Sequence, residues 1–426
     1  MELPDVSRWS ASRGRRMLER LFELAPDTLR RRLTLDVDQA HTLIERIFAD
    51  HPDKNFAVRM WDGSEVGWET PRDFVLEFSD PEVFRECLAA ASPARLAEAY
   101  VTGRVRVEGD FWEAARLGNY LRDLDIDASE ILQIAPRLAV AESSHSPDED
   151  RRDVRGHYDR SNPFFALFLD ERMVYSSGYF ASAEQSLEEA QTRKLELICQ
   201  KLQLEPGEDF LDLGCGWGAL LIWAAEHHGV QGRGVTLSTK QAAWARRRID
   251  EKGLGEQVTV DLMDYRELPA DRFDKIASIG MYEHVGLTQL ATYMEAVART
   301  LRPGGLFLNQ GVTMPWPMYE RIRTGGSFIS KYVFPGTDMV PVSLLQEKME
   351  RAGFEVLDVQ SLRRDYARTL RRWYRRYQQR RSEAAEWVDE QTLRVWDVYL
   401  AGCAHAFEQG LIGDHQILAG AVRNGG

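Results

Sequence analysis

From residue 209 onward, five short apolar runs, "DFLDLGCG", "GRGVTLS", "VTVDLMD", "FDKIASIGM" and "GGLFLNQGV", are separated by stretches that suit helices. Strands alternating with helices build βαβ units. Residues 154–426 are therefore expected to form a doubly wound α/β domain on a parallel sheet. Ligands of such sheets bind beyond the carboxyl ends of the strands, where the strand order reverses. The last residues of each run thus become candidates for a site.

A chain of 426 residues exceeds the length at which one core usually stops growing, so a second domain is expected. Residues 34–140 mix helical stretches with strand-like pieces such as "FAVRMW" and "RVRVEG", with the turn signal "WDGSE" between them, which reads as a smaller α+β module. The polar stretch "AESSHSPDEDRRD", residues 141–153, is expected to be an exposed linker that closes a domain at 1–140. A net charge of −13 argues against a general nucleic-acid binder. Cys87, Cys199, Cys215 and Cys403 form no CxxC pair, so neither a disulfide framework nor a zinc site is expected. No apolar run approaches the ~18 residues of a membrane span, and the first residues lack the apolar core of a secretory signal. The expected location is cytoplasmic, meeting lipid only from the surface.

The first run ends in D-x-G-x-G-x-G at Gly214, Gly216 and Gly218, distinct from the G-x-G-x-x-G of dinucleotide sites. Glycines there let the chain turn tightly and let a ligand approach the backbone, while the next helix offers its positive end. A dinucleotide enzyme would carry an acid ~20 residues on for the ribose hydroxyls, but the second strand ends "GVTLSTKQ". Gln241 can instead serve a ribose hydroxyl, and Asp264, after the third strand, an exocyclic adenine amine. These groups suit a nucleoside without a pyrophosphate and disfavour a nicotinamide cofactor.

The blocks "HYDRSNPFFALFLDERMVYSSGYF", "LDLGCGWG", "GVTLSTKQ", "FDKIASIGMYEHVG", "KYVFPG", "DYARTLRRW" and "VWDVYLAGCAHAFEQGLIGDHQ" resemble, in that order, the cyclopropane-fatty-acyl-phospholipid synthase family. "LAEAYVTGRVRVEGD" is similar to that family's N-terminal lipid-binding domain. The resemblance implies a class I S-adenosylmethionine (SAM) methyltransferase acting on an unsaturated acyl chain of a phospholipid, and it allows a homodimer. It further implies that Tyr175 and Ser176 flank the methionine part of SAM, with Gly214 and Gly216 against it. Thr236, Leu237 and Gln241 would surround the ribose, and Asp264 and Tyr265 the adenine.

Methyl transfer to an alkene leaves a carbocation, so the site must align the reactants, exclude water and stabilise the cation. Aromatic faces can do the last, and Tyr282, Phe328, Tyr332, Phe334 and above all Tyr366 stand in the matching motifs. Glu283 follows the fourth strand, where it could hold the general base, feel the cation, or simply cap a helix; His284 is read as structural. In the family, bicarbonate held by Cys, Glu, His, Tyr and a backbone group is the proposed proton acceptor. The resemblance places Ser177 where the family has Cys and Gln310 where it has His, while Glu283, Tyr366 and the backbone at Val312 match. Without the imidazole, a methyl- or methylene-branched product competes with a ring.

"LRRDYARTLRRWYRRYQQRR", residues 362–381, holds nine arginines and one acid. Arg371, Arg372, Arg375 and Arg376 share flanks of one helix, opposite Leu370, Trp373, Tyr374 and Tyr377. Such a face either attracts anionic headgroups or pairs with acids of its own protein. The arginines and apolar residues of the first 25 positions likewise fit either membrane contact or a helix docked on its own domain. A lipid-binding protein that keeps a decayed cofactor fold is the competing functional class.

Overall fold

The computed structural model describes residues 36–89, 93–123, 162–322, 328–334 and 336–422. The amphipathic N-terminal stretch and the linker at 141–153 lie outside the described residues. The chain divides into two compact units, residues 1–146 with Glu390–Gly402, and residues 147–389 with 403–426. Glu390–Gly402, read from sequence as part of the C-terminal domain, thus groups with the N-terminal unit.

In the N-terminal unit, β1 (Phe56–Arg59), β2 (Glu65–Gly67), β3 (Phe74–Phe78) and β4 (Val105–Gly109) form one sheet in the order β2-β1-β3-β4. β1 runs parallel to β3 and antiparallel to β2, and β3 pairs antiparallel with β4. Phe74, Leu76 and Phe78 are buried while Val75 and Glu77 are less so, the alternation a half-covered strand requires. They join Phe48, Phe56 and Phe84 in one core. "WDGSE" makes the β1–β2 turn, where the Met60 N–H donates to the Ser64 carbonyl at 2.8 Å. The Tyr100 hydroxyl donates to Asp397 at 2.9 Å and Arg394 lies 5.7 Å from the Tyr100 ring, which ties in the segment Glu390–Gly402.

The C-terminal unit is built on seven strands: β5 (Asp209–Leu213), β6 (Gln231–Thr236), β7 (Val258–Leu262), β8 (Phe273–Ile279), β9 (Leu301–Thr313), β10 (Phe354–Ser361) and β11 (Gly413–Ala421). Their order is β10-β11-β9-β8-β5-β6-β7. The five strands expected from sequence are mutually parallel. The sheet as a whole is mixed, which corrects the expectation of a purely parallel one: β11 lies antiparallel to both β9 and β10.

Successive residues of β5 serve opposite faces. Phe210 packs with the helices Leu187–Leu202, Ala219–His228 and Thr239–Glu251, whereas Leu211 and Leu213 pack with Leu290–Thr300 and Val342–Arg351. Burial on both faces is why three of its five residues are large and apolar, with Asp212 buried among them. Ser186 and Glu189 close a reciprocal capping box at the start of Leu187–Leu202. β6 and β7 lie to one side of β5, and β8 and β9 to the other, so the switch point falls between the ends of β5 and β8. Among the described residues, no helix is long and apolar enough to cross a membrane.

Candidate active site

Gly214, Gly216 and Gly218 all adopt positive φ, at 76°, 53° and 81°. The N–H groups of Gly214 and Cys215 both donate to the Val235 carbonyl, at 3.0 and 3.1 Å, which folds the turn back against β6. A Cβ on Gly214 would sit 3.3 Å from Met281, and one on Gly218 3.0 Å from Ala245. At Gly216 the nearest atom would be Gln241 Nε2 at 4.0 Å. Two glycines are therefore needed for packing, and the middle one keeps an open cradle. Gly280, just past β8, also has positive φ, and a Cβ there would meet nothing within 4 Å. Open backbone thus marks both strands that flank the switch point.

Around that cradle, Thr236 Oγ1 donates to Gln241 Oε1 at 3.1 Å, while Gln241 N donates to the cap residue Ser238 at 3.3 Å. These bonds fix the amide with Nε2 on the side of Gly216. Leu237 and Leu262 are exposed apolar side chains at the ends of β6 and β7. Asp264 caps the turn Tyr265–Glu267, and its carboxylate is held by Arg266 at 2.8 and 2.6 Å. Its Oδ1 also accepts from the Arg266 N–H at 3.0 Å. Tyr265 lies half-buried, edge-on to Tyr293 at 5.4 Å.

Tyr175 sits in an aromatic nest, 5.3 Å from both Phe165 and Trp373. Phe165 also lies 5.3 Å from Trp217 of the glycine turn, which draws the Tyr175 segment and that turn together. Ser176 is fixed at both ends: its hydroxyl accepts from Lys194 at 3.1 Å and its carbonyl from Gln191 at 2.8 Å. Burial pushes the Lys194 ammonium down to about 8 against the pull of Asp170 and Asp212, and pushes the Asp212 carboxyl up to about 7.

Glu283 lies on the single turn Tyr282–His284 after β8. Rather than capping a helix, its Oε1 accepts the Val312 N–H at 2.6 Å. The Tyr282 hydroxyl donates to the carbonyl of the same Val312. A Cβ on Gly311 would come within 2.7 Å of Glu283 Oε1, so only glycine fits there. Glu283 Oε2 is buried and has no hydrogen-bond partner among the described residues. Burial pushes this carboxyl up to about 7 and the neighbouring His284 down to about 4.

Gln310 is buried between two side chains of β11: its Nε2 donates to Asp414 at 2.9 Å and its Oε1 accepts from Gln416 at 3.0 Å. Tyr366 stacks on Phe407 at 4.6 Å and meets Trp373 edge-on at 6.1 Å. Burial raises its phenol far above the usual range, with the charges of Asp414, Tyr175 and Glu283 adding to the shift. Phe334 bridges Tyr175 and His284, at 6.3 and 5.7 Å.

Other expected residues stand apart. The buried Ser177 hydroxyl donates to the Gly178 carbonyl at 2.8 Å, and among the described residues no hydrogen bond joins it to Glu283, Gln310 or Tyr366. Tyr282 is spent on bracing Val312, and Phe328 and Tyr332 pack on each other at 4.9 Å. Sequence reasoning missed Asp414, Gln416 and Lys194. The signal for the first two was a pair of polar residues two apart in "GDHQILAGA", which puts both on one face of an apolar strand.

On the arginine helix Arg363–Gln379, Leu370, Trp373, Tyr374 and Tyr377 are buried as expected. Arg372 donates to the carbonyls of Ala183 and Gln185 at 2.7 Å, and Arg376 pairs with Glu188 at 2.8 Å. Arg364, Arg371 and Arg375 are exposed.

Residues 145–417 match the family described as mycolic acid cyclopropane synthetase. A "Probable fatty acid methyltransferase" of Pseudomonas putida is 39% identical over 365 residues, covering 85% of this chain and 91% of that protein. The "Tuberculostearic acid methyltransferase UfaA1" of Mycobacterium tuberculosis is 32% identical over 373 residues, covering 83% and 85%. Among solved structures, the mycolic acid cyclopropane synthase CmaA1 complexed with SAH and CTAB matches with a TM-score of 0.60 at 33% identity, covering 63% of this chain and 97% of that one. The open cradle at Gly216 and the amide of Gln241 beside it suit SAM, whose part in the reaction is an electrophilic methyl group. The switch-point cradle, the buried carboxyl that follows the neighbouring strand β8 and these likenesses converge: the chain belongs to the mycolic acid cyclopropane synthetase family and is a SAM-dependent methyltransferase that modifies lipids.

Proposed function

We propose that this enzyme methylates the double bond of an unsaturated fatty acyl chain carried by a phospholipid, and that the resulting cation loses a proton beside Glu283. The observation that carries this reading is the Glu283 carboxyl itself. It is buried beyond the end of β8, anchored through one oxygen to Val312, and has no hydrogen-bond partner on the other among the described residues. Such a group can stabilise a positive charge and hold a proton without contact with water. Tyr366, whose phenol feels the Glu283 charge, would offer its ring to the cation. Gly214, Gly216, Gly218, Thr236, Leu237, Gln241, Asp264 and Tyr265 would hold the nucleoside, and Tyr175 and Ser176 the methionine end.

The chain's two departures favour a reaction without a captured anion. Gln310 has both ends of its amide engaged, and Ser177 directs its proton to a neighbouring carbonyl. Bicarbonate therefore finds fewer donors here than the family pattern implies. The exposed Arg364, Arg371 and Arg375 would draw the enzyme to anionic headgroups from the surface, and the N-terminal unit would help present the lipid.

Mass spectrometry of lipids from cells expressing the chain tests the reading. Acyl chains heavier by one CH₂ unit are expected; their absence would remove it. Hydrogenation then sorts the product, since a ring survives conditions that saturate alkenes while a methylene branch does not. The branched outcome has its own support, because relatives are named as a tuberculostearic acid methyltransferase and, in Emericella nidulans, a "Sphingolipid C9-methyltransferase A".

A further inference from the structure

Residues 174–180 are strapped down along their length. The Tyr179 N–H donates to the Ala190 carbonyl, the Gly178 N–H to Thr369 Oγ1 and the Phe180 N–H to Asp365 Oδ1, each at 2.9 Å. A Cβ on Gly178 would come within 3.1 Å of the Ala190 Cβ, so this stretch lies hard against the helix Leu187–Leu202. Gln191 and Lys194, three residues apart and hence on one face of that helix, both reach Ser176.

Lys194 is 2% exposed. Among the described residues its ammonium has one hydrogen-bond partner, the Ser176 hydroxyl at 3.1 Å, and closes no ion pair. A charge this far from water is costly unless further partners offset it. An ammonium carries donors only, so the serine oxygen must accept from it. The single proton of the Ser176 hydroxyl takes no part in that bond, and among the described residues no acceptor receives it. Ser177 is the contrast, wholly buried with its proton given to the Gly178 carbonyl. Ser176 is half-buried, which leaves its hydroxyl as a donor backed by a cation.

We propose that Lys194 is a positioning residue that reserves Ser176 for the α-carboxylate of SAM: it donates to the serine oxygen, leaves the serine proton to the cofactor and sets a positive charge behind that bond. The inference rests on the placement of the methionine end at Ser176 given under Proposed function. The α-carboxylate is the one anionic group of SAM, and hydrogen bonds to an ionised acceptor are the strong ones. Holding it fixes one end of the arm that carries the sulfonium, which serves the alignment of the methyl group. Gln191 holds the Ser176 carbonyl from the same helix at 2.8 Å, so the hydroxyl cannot swing away with its backbone.

Burial lowers the Lys194 ammonium to about 8, which gives the arrangement an upper pH bound. Of the groups that bear on it, Asp170, Asp212 and Asp414 favour the charged form, while the Cys199 thiol, pushed up by burial, stays neutral near that pH. Once the ammonium loses its proton, the lysine nitrogen can accept and competes for the serine proton.

The test is calorimetry on the full-length enzyme with S-adenosylhomocysteine and with its decarboxylated analogue, which keeps the nucleoside, the thioether and the amine. Wild type is expected to prefer S-adenosylhomocysteine by at least ~10-fold, the lower size for a hydrogen bond to a charged group. In Lys194→Met that preference should shrink towards one, because affinity for the ligand with the carboxylate falls while affinity for the analogue holds. The wild-type preference should also fall above about pH 8, whereas that of Lys194→Met should not change. Equal loss of both ligands in Lys194→Met would mark a purely structural lysine and overturn the proposal, as would a variant that keeps the preference or a wild type that has none. If Lys194→Met does not fold, the wild-type pH series decides, and a preference that persists above about pH 8 overturns the proposal. Ser176→Ala binding both ligands as wild type does would instead remove the placement of the methionine end on which the proposal stands.

Discussion

The two sides of the switch point are made differently. On the β5–β7 side the proposed cofactor cradle is mostly backbone: three glycines at positive φ, a carbonyl shared by two N–H groups and one oriented amide, drawn from residues 214–241. On the β8–β9–β11 side the proposed chemistry rests on buried side chains brought from far apart. Glu283 reaches Val312 across 29 residues, and Gln310 reaches Asp414 across 104. A binding cradle tolerates solvent and repeats a local turn, whereas a proton site for a carbocation must be dry. Dry polar groups survive only when tertiary structure satisfies them.

Changes on the two sides should separate binding from chemistry. Glu283→Gln is expected to lower kcat by ~10²–10⁴, the range for a general acid–base group, with unchanged calorimetric affinity for S-adenosylhomocysteine; a parallel loss of affinity would erase the distinction. The same pair of proteins carries a pH signature. The Glu283 carboxyl is raised from 4.5 to about 7 in the folded state, so the native protein binds the extra proton. Its contribution to stability is full below pH 4.5 and is lost as pH rises towards about 7, while kcat/KM rises as the carboxylate forms. Burial of His284, from 6.5 to about 4, acts in the opposite sense as pH falls. Comparing denaturant midpoints of wild type and Glu283→Gln across that window isolates the glutamate.

Smaller effects follow on the binding side. Gly216→Val places a β-branched side chain at φ 53° in the open cradle, and should weaken S-adenosylhomocysteine binding by about tenfold or more while costing ~1–2 kcal/mol of stability for the left-handed backbone. Retained affinity would mean that the ligand lies elsewhere. Tyr282→Phe removes the bond to Val312 and should cost ~1–3 kcal/mol in chemical denaturation, as for a buried acceptor left unpaired. Least affected should be Arg364→Gln and Arg375→Gln. Each is expected to weaken sedimentation with anionic vesicles by ~1 kcal/mol, and less at high salt. Arg372 and Arg376 are committed to protein partners, so their replacement should show first in stability.

The same contrast explains what could be read from the sequence. The five parallel strands, the glycine turn and the position of Gln241 follow from local periodicity and turn chemistry, and each is contiguous in the chain. The arginine helix was legible in its buried stripe but not in its partners, because Arg372 and Arg376 reach residues 183–188 through tertiary folding. β10 and β11 were missed. "FEVLDVQS" and "GDHQILAGA" carry charged or polar residues that mask a strand, and only pairing with β9 places β11 inside the sheet. Asp414 was invisible for that reason: its meaning depends on a register that no local pattern specifies. Gln310 was found through resemblance, yet its role as a donor to Asp414 was not.

Domains commonly fold from the N-terminus while the ribosome is still at work, but the N-terminal unit includes Glu390–Gly402, and the Tyr100 hydroxyl must wait for Asp397, 297 residues downstream. The N-terminal unit, which leaves the exit tunnel before the C-terminal one, is thus among the last to be completed, and a nascent chain arrested before Glu390 would hold that unit unfinished.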